Sequence, residues 1–329
     1  MPLLARRRLS LLLLGLAAAG GSSPGVALAA EAWPTRPVRV VVPAPAGSSL
    51  DLIARLLGDK LKDRWGQPVV VENKAGAGGM LGTDVAAKAA PDGHTLVLSF
   101  NGPVAFAPHL YAKVPYDPAR DLVPVVMTTS QPNVLAVSAA LPVKTLAEFI
   151  GWARAKPGGL NFSSLGMGSS AHLTMEMFLA EIGAKGTHIP FNGSPPAAMA
   201  VAQGEADASF MTAPALMAHV RSGKVRLLAV SSTQHPESLK DLPSLASAGV
   251  KVESLAWNGL FTAAGTPEAV VARLNADVNT VLADPAVRAQ MEQQGLTPVG
   301  GTAADFRKVV DADGARWGAL IRRLGLKLD

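Results

Sequence analysis

Short apolar runs alternate with longer amphipathic segments along most of the chain. Residues 38–42 form a run of the buried-strand type, and residues 50–65 place four leucines and Ile53 on one face of a predicted helix. The same alternation continues to residue 263, after which the pattern is helical. It predicts further strands at 69–71, 95–100, 133–138, 160–163, 187–191, 208–211, 225–231 and 255–263, and helices at 81–90, 145–155, 173–182, 196–203, 268–282, 285–294 and 304–324.

Strand–helix alternation of this kind favours an α/β fold with parallel sheets that are covered by helices on both faces. The chain has 329 residues, and the predicted strands are too many for one sheet of ordinary size. We therefore expect two α/β lobes with a cleft between them.

The first 29 residues read as a secretory signal peptide. Arg6, Arg7 and Arg8 precede an apolar stretch at 9–19, and Ala27-Leu28-Ala29 resembles a cleavage site. A membrane anchor is the alternative, but the apolar stretch is short for a membrane span and ends in Gly-Gly-Ser-Ser-Pro. We expect export to the periplasm, by the general or the twin-arginine route.

Charge and cysteine content narrow the possible functions. Removing residues 1–29 takes away three arginines and no acidic residue, so the net charge falls from +5 to +2. A mature chain with so small a net charge lacks the excess of basic residues typical of nucleic-acid-binding proteins. The chain has no cysteine, which excludes disulfides, thiol nucleophiles and cysteine metal sites.

Two loops with the same plan are candidate anion sites. Gly47, Ser48 and Ser49 follow a predicted strand and lead into a helix, and Ser169 and Ser170 do the same in the second half. The first N–H groups of a helix have no intrahelical acceptor, and the helix dipole adds positive charge there. Such a terminus binds anions without lysine or arginine.

An ordinary structural role for these serines stays open, because serine is a common N-cap. Two such loops, one in each lobe, would suit a molecule with a carboxylate at each end. Asp51 has two interpretations: it stabilises the helix dipole from the first turn, or it faces the cleft and selects a donor on the ligand.

Catalytic and cofactor motifs are missing from the sequence. The only G-x-S-x-G match, GSSPG at 21–25, lies in the predicted signal peptide. There is no such elbow in the rest of the chain, since Met167 stands where the serine belongs, although Ser170 and His172 lie close together. The stretch at 76–82, GAGGMLG, has one residue too many for a dinucleotide fingerprint. No phosphate loop or metal-ligand spacing occurs, so we expect neither a cofactor nor a metal ion.

Several long motifs resemble the extracytoplasmic solute receptors of tripartite tricarboxylate transporters, the Bug proteins. The resemblance runs from residue 33 to the C-terminus. Its clearest parts are WPTRPVRVVVPAPAGSSLDLIARLL, GQPVVVENKAGAGGMLGTDVAAKAAPDGHTL, GMGSSAHLTMEMF, HIPFNGSPPAAMAVAQGEAD and WNGLFTAAGTP.

The resemblance implies a periplasmic-binding-protein-like fold in which the chain crosses between the lobes. Residues 31–130 and 228–329 would form lobe 1, and residues 131–227 lobe 2. It implies that the loop from Gly47 to Asp51 grips a carboxylate through backbone amides. The other implied ligand-binding residues are Asn101, Gln131, Ser169, Ser170, His172, Asn192 and Thr212.

Three departures from the family pattern bear on the ligand. Ser48 replaces a glycine of the first loop, Phe191 replaces a tyrosine, and Met211 stands where the family has an acidic residue. A more apolar pocket is one interpretation, so the ligand cannot be carried over from relatives.

The expected function is that of a non-catalytic, monomeric periplasmic receptor that captures a small carboxylate for membrane transport subunits. Two alternatives stay open. One is an exported hydrolase that uses Ser170 and His172, and the other is a subunit that presents its bound ligand to a signalling protein.

Overall fold

The computed structural model describes residues 33–328; the predicted signal peptide lies outside this part of the chain. Its strands are β1 (Val38–Val42), β2 (Val69–Asn73), β3 (Thr95–Phe100), β4 (Leu122–Pro132), β5 (Val134–Ser138), β6 (Leu160–Ser164), β7 (Gly186–Pro190), β8 (Ala208–Met211), β9 (Val225–Val230), β10 (Leu255–Ala263) and β11 (Thr297–Pro298).

Its helices are α1 (Ser49–Trp65), α2 (Met80–Ala87), α3 (Ala107–Leu110), α4 (Pro118–Asp121), α5 (Leu146–Ala155), α6 (Ser170–Ile182), α7 (Ser194–Gln203), α8 (Met217–Arg221), α9 (Glu268–Ala283), α10 (Pro285–Gln293) and α11 (Ala303–Leu324). Each strand and helix predicted from the periodicity is confirmed, with ends that differ by up to three residues.

The strands form two sheets, which we use to define the lobes. Within residues 33–328, lobe 1 is built on six strands in the order β11-β4-β10-β3-β1-β2, and lobe 2 on five in the order β7-β6-β8-β5-β9. Both sheets belong to one compact unit that begins at Pro34. The expected α/β fold with two lobes is confirmed.

The expectation of all-parallel sheets is wrong, because each sheet also contains antiparallel pairs. β1 is parallel to β2 and β3, but β10 is antiparallel to β3 and β4. In lobe 2, β6 is parallel to β7 and β8, whereas β5 is antiparallel to β8 and β9. The cause is the chain path: β4 leaves the first sheet and β10 returns to it, so they run in opposite directions.

The long strand β4 was not predicted. Pro124 interrupts the apolar run at 122–127, residues 128–131 are polar, and Pro132 lacks a backbone donor. The segment therefore does not show the uninterrupted pattern of a buried strand. Only Asn133 separates β4 from β5. The boundaries expected at 131 and 228 fall inside β4 and β9, and the lobe limits in the sequence stay a prediction.

A buried polar cluster joins the two crossovers between the lobes. The Asn133 N–H donates to Ser231 Oγ at 2.9 Å, and Ser231 Oγ donates to the Ser254 carbonyl at 2.7 Å. The Thr174 hydroxyl of α6 lies 2.6 Å from that of Ser254. Since Asn133 precedes β5, Ser231 follows β9 and Ser254 precedes β10, the cluster fixes the strands where the chain passes between lobes.

Each lobe has its own apolar core, and both rest on aromatic packing. The core of lobe 1 packs α11 against the sheet, and that of lobe 2 packs α5 and α6 against β6 and β8. The main aromatic members are Phe106, Trp257, Phe261, Phe306 and Trp317 in lobe 1, and Phe149, Phe162, Phe178 and Phe210 in lobe 2.

No helix in residues 33–328 is both long and apolar enough to cross a bilayer.

Candidate functional site

A cavity lies where the two lobes face each other, at the carboxyl ends of their parallel strands. Pro43 follows β1, Asn101 follows β3 and Thr212 follows β8, and all three line it. Its empty volume is about 580 Å³, part of which is open to solvent. Ligands of open α/β sheets bind at this edge, and the size suits a small molecule.

The start of α1 forms one wall of this cavity. Ser48, Ser49 and Leu50 line it. Ser48 is the N-cap, and its Oγ accepts a hydrogen bond from the Asp51 N–H at 3.3 Å. The N–H groups of Ser49 and Leu50, in the first turn, have no acceptor inside the helix, so they are available to an anion.

Asp51 is turned into the protein and does not line the cavity. It is 3% exposed, and its Oδ2 accepts the Gly47 N–H at 3.0 Å. Its Oδ1 accepts hydrogen bonds from Arg55 Nε and Asn73 Nδ2, both at 3.0 Å. Asn73 also donates to the Ala44 carbonyl at 3.0 Å, so this network fixes the β1–α1 loop.

The electrostatics of this network keep Asp51 ionised at neutral pH. Burial alone would raise the pKa of Asp51, but hydrogen bonds from Arg55, Gly47 and Asn73 outweigh it and lower the pKa below its usual value. Of the two interpretations of Asp51, the geometry favours a structural role at the helix start over a ligand contact.

The start of α6 forms the opposing wall. Ser170 lines the cavity, whereas Ser169 is the N-cap behind it, and its Oγ accepts the His172 N–H at 3.3 Å. The Gly168 N–H donates to His172 Nδ1 at 3.2 Å. The His172 ring and the Ser169 hydroxyl therefore hold the loop. The N–H groups of Ser170 and Ala171 are left without intrahelical acceptors.

A third helix start, that of α7, also reaches the cavity. Asn192, Gly193 and Ser194 line the cavity, and Gly193 is the N-cap. Pro195 and Pro196 follow in the first turn and have no backbone N–H, so α7 offers the cavity the Ser194 N–H together with the side chains of Ser194 and Asn192. The sequence Asn-Gly-Ser-Pro-Pro at 192–196 is typical of a helix start, but only Asn192 was predicted to bind the ligand.

The glycine-rich stretch that mimics a dinucleotide fingerprint lies at the cavity instead. Gly76, Gly78 and Gly79 line it. A Cβ on Gly78 would lie 2.9 Å from the Met167 carbonyl of lobe 2, and one on Gly79 would lie 2.6 Å from the Phe100 ring. These glycines thus allow the backbone of lobe 1 to approach both the cavity and lobe 2.

Two carboxamide side chains, those of Asn101 and Asn258, form the part of the cavity wall that we call its floor. Asn101 Nδ2 donates to the Leu255 carbonyl at 3.2 Å, and Asn101 Oδ1, although buried, has no partner among residues 33–328. Asn258 Nδ2 donates to Thr129 Oγ1 at 2.9 Å. Asn258 lies in the middle of β10, a strand position that gave no functional signal in the sequence.

The predicted ligand-binding residues divide into two groups. One group lines the cavity: Ser48, Ser49, Asn101, Ser170, Asn192 and Thr212. The other group is close to it in the chain but is not part of its wall: Gly47, Asp51, Gln131, Ser169 and His172. For both groups, contact with a ligand stays a prediction.

Gln131 is unusual in the second group. It is 1% exposed, and neither atom of its carboxamide has a hydrogen-bond partner in the described part of the chain. It pairs with Ala256 of β10, which does line the cavity. The backbone of Gln131 therefore lies beside the floor of the cavity.

Two of the departures from the family pattern lie away from the cavity wall. Met211 is buried in an apolar cluster of lobe 2, and Phe191 packs against the same cluster. Neither residue lines the cavity, so neither makes its surface more apolar. Ser48, the third departure, is on the wall and caps α1.

Within residues 33–328, no ionisable side chain lines the cavity. Any anion there would be held by backbone N–H groups, hydroxyls and carboxamides at converging helix starts. Within residues 33–328, no group of three or more histidine, aspartate or glutamate side chains could hold a metal ion.

Ser170 and His172 are not arranged as a nucleophile and its base. His172 Nδ1 accepts from Gly168, and Nε2 lies 3.6 Å from Glu176 Oε1. No hydrogen bond between the Ser170 hydroxyl and His172 occurs among the described residues. The acyl-transfer arrangement, in which the base accepts the serine proton, is therefore not formed.

Comparison with known proteins agrees with this architecture. The model of the tripartite tricarboxylate transporter family receptor matches residues 53–326. The chain is 36% identical to the protein BugT of Bordetella pertussis over 324 residues, which is 98% of each chain.

Solved structures are similar over nearly the same length. An R. palustris protein with adipate is 33% identical, with a TM-score of 0.87 over 90% of this chain and 99% of that one. MatC from Rhodopseudomonas palustris with bound malate is 32% identical, with a TM-score of 0.82 over 88% and 99%. The chain therefore belongs to the family of tripartite tricarboxylate transporter receptors.

Proposed function

We propose that the protein is a periplasmic receptor that binds a small dicarboxylate, or a related organic acid, in the cavity between its lobes. It delivers this ligand to the membrane subunits of a tripartite transporter. The observation that carries the proposal is the convergence of the starts of α1, α6 and α7 on one cavity, to whose wall the described part of the chain contributes no charged side chain.

The placement of the helix starts supports a ligand with two anionic ends. α1 belongs to lobe 1, whereas α6 and α7 belong to lobe 2, so free N–H groups face the cavity from both sides. A partly enclosed site strengthens each N–H to carboxylate hydrogen bond, because little water competes for it. A molecule with one carboxylate would use only one side.

The relatives support the same class of ligand. Adipate is an unbranched dicarboxylate and malate is a hydroxylated one, and each is bound in a protein about one-third identical to this chain. The unpartnered Asn101 Oδ1 at the floor would accept a hydrogen bond from a hydroxyl such as that of malate.

A thermal-shift screen tests the proposal. Adipate, succinate and malate are compared with hexanoate, which matches adipate in length but has one carboxylate. A dicarboxylate at a hundred times its Kd should add about 2.7 kcal/mol to the free energy of unfolding and raise Tm. If no organic acid raised Tm, the proposed function would be wrong.

Delivery and export need their own measurements. Mass spectrometry should recover the bound acid unchanged, because a receptor does not turn it over. The intact mass of the exported protein should correspond to loss of residues 1–29. Co-purification with membrane transport subunits would support transport, whereas co-purification with a signalling protein would favour the sensing alternative.

A further inference from the structure

A six-residue motif occurs twice, once at each of the two serine-capped helix starts. Residues 47–52 read GSSLDL and residues 168–173 read GSSAHL. The first serine is the N-cap in both, with φ and ψ of −73° and 164° at Ser48 and −74° and 160° at Ser169. The preceding glycines have φ of 79° and 71°.

The hydrogen bonds of the two motifs also correspond. In each, the side chain of the fifth residue accepts the N–H of the first: Gly47 to Asp51 Oδ2 at 3.0 Å, and Gly168 to His172 Nδ1 at 3.2 Å. In each, the N–H of that fifth residue returns a hydrogen bond to the N-cap hydroxyl at 3.3 Å. The two helix starts are therefore built in the same way.

The two acceptors differ in their response to a proton. Asp51 is an ionised carboxylate that also binds Arg55 and Asn73. His172 accepts only through the lone pair of Nδ1, so its proton is on Nε2, which points towards Glu176 at 3.6 Å. A second proton would turn Nδ1 into a donor that faces the Gly168 N–H donor.

A second histidine supports the same loop. The His188 ring stacks on the His172 ring, with centroids 4.0 Å apart and planes 11° apart. His188 Nε2 lies 2.7 Å from Ser164 Oγ, which donates to the Gly166 carbonyl at 3.0 Å. The β6–α6 loop held in this way supplies Leu165 and Ser170 to the cavity wall.

We propose that His172 is the positioning residue of the α6 helix start, as Asp51 is for α1, and that protonation of its ring loosens the β6–α6 loop. This effect on the loop does not depend on what the cavity binds. A second consequence, which rests on the function proposed above, is that the receptor binds its ligand less tightly in acid.

Two ionisable side chains and one aromatic ring lie against the His172 ring. Glu176, on α6, places Oε1 3.6 Å from His172 Nε2. His188, from β7, stacks on the His172 ring. Phe162, from β6, stacks at 6.3 Å between centroids and carries no charge.

Two variants of His172 separate the hydrogen bond from the proton. Asparagine offers a carboxamide oxygen near the place of Nδ1 and does not titrate in this range, so His172→Asn should keep the loop ordered at any pH. His172→Ala removes the acceptor. His219→Asn is the matched control, because His219 lies on α8 and does not line the cavity.

The first readout is amide hydrogen exchange of residues 165–170 in the ligand-free protein, compared between about pH 8 and pH 5. After correction for intrinsic rates, exchange in the wild type and in His219→Asn should rise about tenfold in acid, as for loss of one hydrogen bond. His172→Asn should show no rise, and His172→Ala should exchange fast at both values. Equal protection in wild type and His172→Ala would overturn the proposal.

Calorimetric titration with adipate and with malate is the second readout. The affinity of the wild type should fall about tenfold over the same pH range, and that of His172→Asn should stay constant. If an acid binds but neither exchange nor affinity depends on His172, this inference is wrong and the proposed function stands. If exchange behaves as expected but no acid binds, the proposed function is wrong and the role of His172 in the loop stands.

Discussion

The Tyr111 hydroxyl donates a hydrogen bond to the Met167 carbonyl at 3.2 Å. Tyr111 follows α3 in lobe 1, and Met167 lies in the β6–α6 loop of lobe 2. Beside it, Gly78 and Gly166 approach each other closely enough that a Cβ on Gly166 would lie 3.3 Å from the Gly78 Cα. The lobes are thus in contact beside the cavity, which Gly78 also lines. We expect this contact to stabilise closure if the lobes move about a hinge.

Loss of the Tyr111 hydroxyl should weaken ligand binding without unfolding the protein. One hydrogen bond of this kind contributes about 0.5–1.5 kcal/mol, so Tyr111→Phe should raise Kd roughly two- to tenfold in calorimetry. Tyr116→Phe is the matched control, because the Tyr116 hydroxyl donates to Pro103 within lobe 1 at 2.8 Å. Equal affinities of the Tyr111 variant and the wild type would show that this contact does not stabilise the closed state.

A methyl group on Gly193 should oppose closure more strongly. Its Cβ would lie 2.3 Å from Cδ of Pro45, in the opposing lobe. Overlap of this kind costs about 1–3 kcal/mol, so Gly193→Ala should weaken binding roughly 5- to 150-fold.

The control for this prediction is at the other end of α7. Gly204 also has positive φ, at 79°, but a Cβ there meets its nearest atom at 3.9 Å. Gly204→Ala should therefore lower Tm through backbone strain and leave Kd unchanged. A similar Kd for both variants would contradict the closure argument.

Ser231→Ala should destabilise the strands at the crossovers. It leaves the buried N–H of Asn133 and the carbonyl of Ser254 without the side-chain partner they share. The free energy of unfolding in urea should fall by about 1–3 kcal/mol. Ser247→Ala, at an exposed position, should change it by less than about 0.5 kcal/mol.

His188 should make the fold less stable in acid. Burial, with a smaller effect of neighbouring His172, lowers the pKa of His188 to about 3, below its value of about 6.5 in an unfolded chain. The unfolded state therefore binds the proton first. The stability that neutral His188 contributes to the fold is fully present above about pH 6.5 and is lost progressively as the pH falls towards 3.

Urea unfolding at neutral and acidic pH checks this prediction. His188→Gln keeps a donor towards Ser164 but does not titrate, so its stability should fall less in acid than that of the wild type. His219→Gln should retain the wild-type slope. A slope that does not change in His188→Gln would assign the acid sensitivity to other groups.

The parts of the site that follow local rules could be predicted from the sequence. Ser48 and Ser169 are at helix starts because short hydroxyl side chains cap helices, and that rule operates within a few residues. The start of α7 was harder to recognise, since its N-cap is Gly193, which has no side chain to mark it.

The parts that depend on tertiary structure could not be predicted. Asn258 reaches the cavity because β10 returns from lobe 2 and inserts between β3 and β4, which no local pattern encodes. The inward turn of Asp51 likewise depends on Asn73, 22 residues away at the end of β2. β4 is a strand because its neighbours in the sheet bury it, despite its prolines.

Binding of a dicarboxylate between the helix starts is tested most directly by a crystal structure with the dicarboxylate that raises Tm most. We expect one carboxylate about 3 Å from the N–H of Ser49 or Leu50 and the other at the start of α6 or α7. A ligand bound elsewhere, such as in the groove lined by Met217, Val220 and Leu239, would contradict it. So would an acid in the cavity whose carboxylates point away from the helix starts.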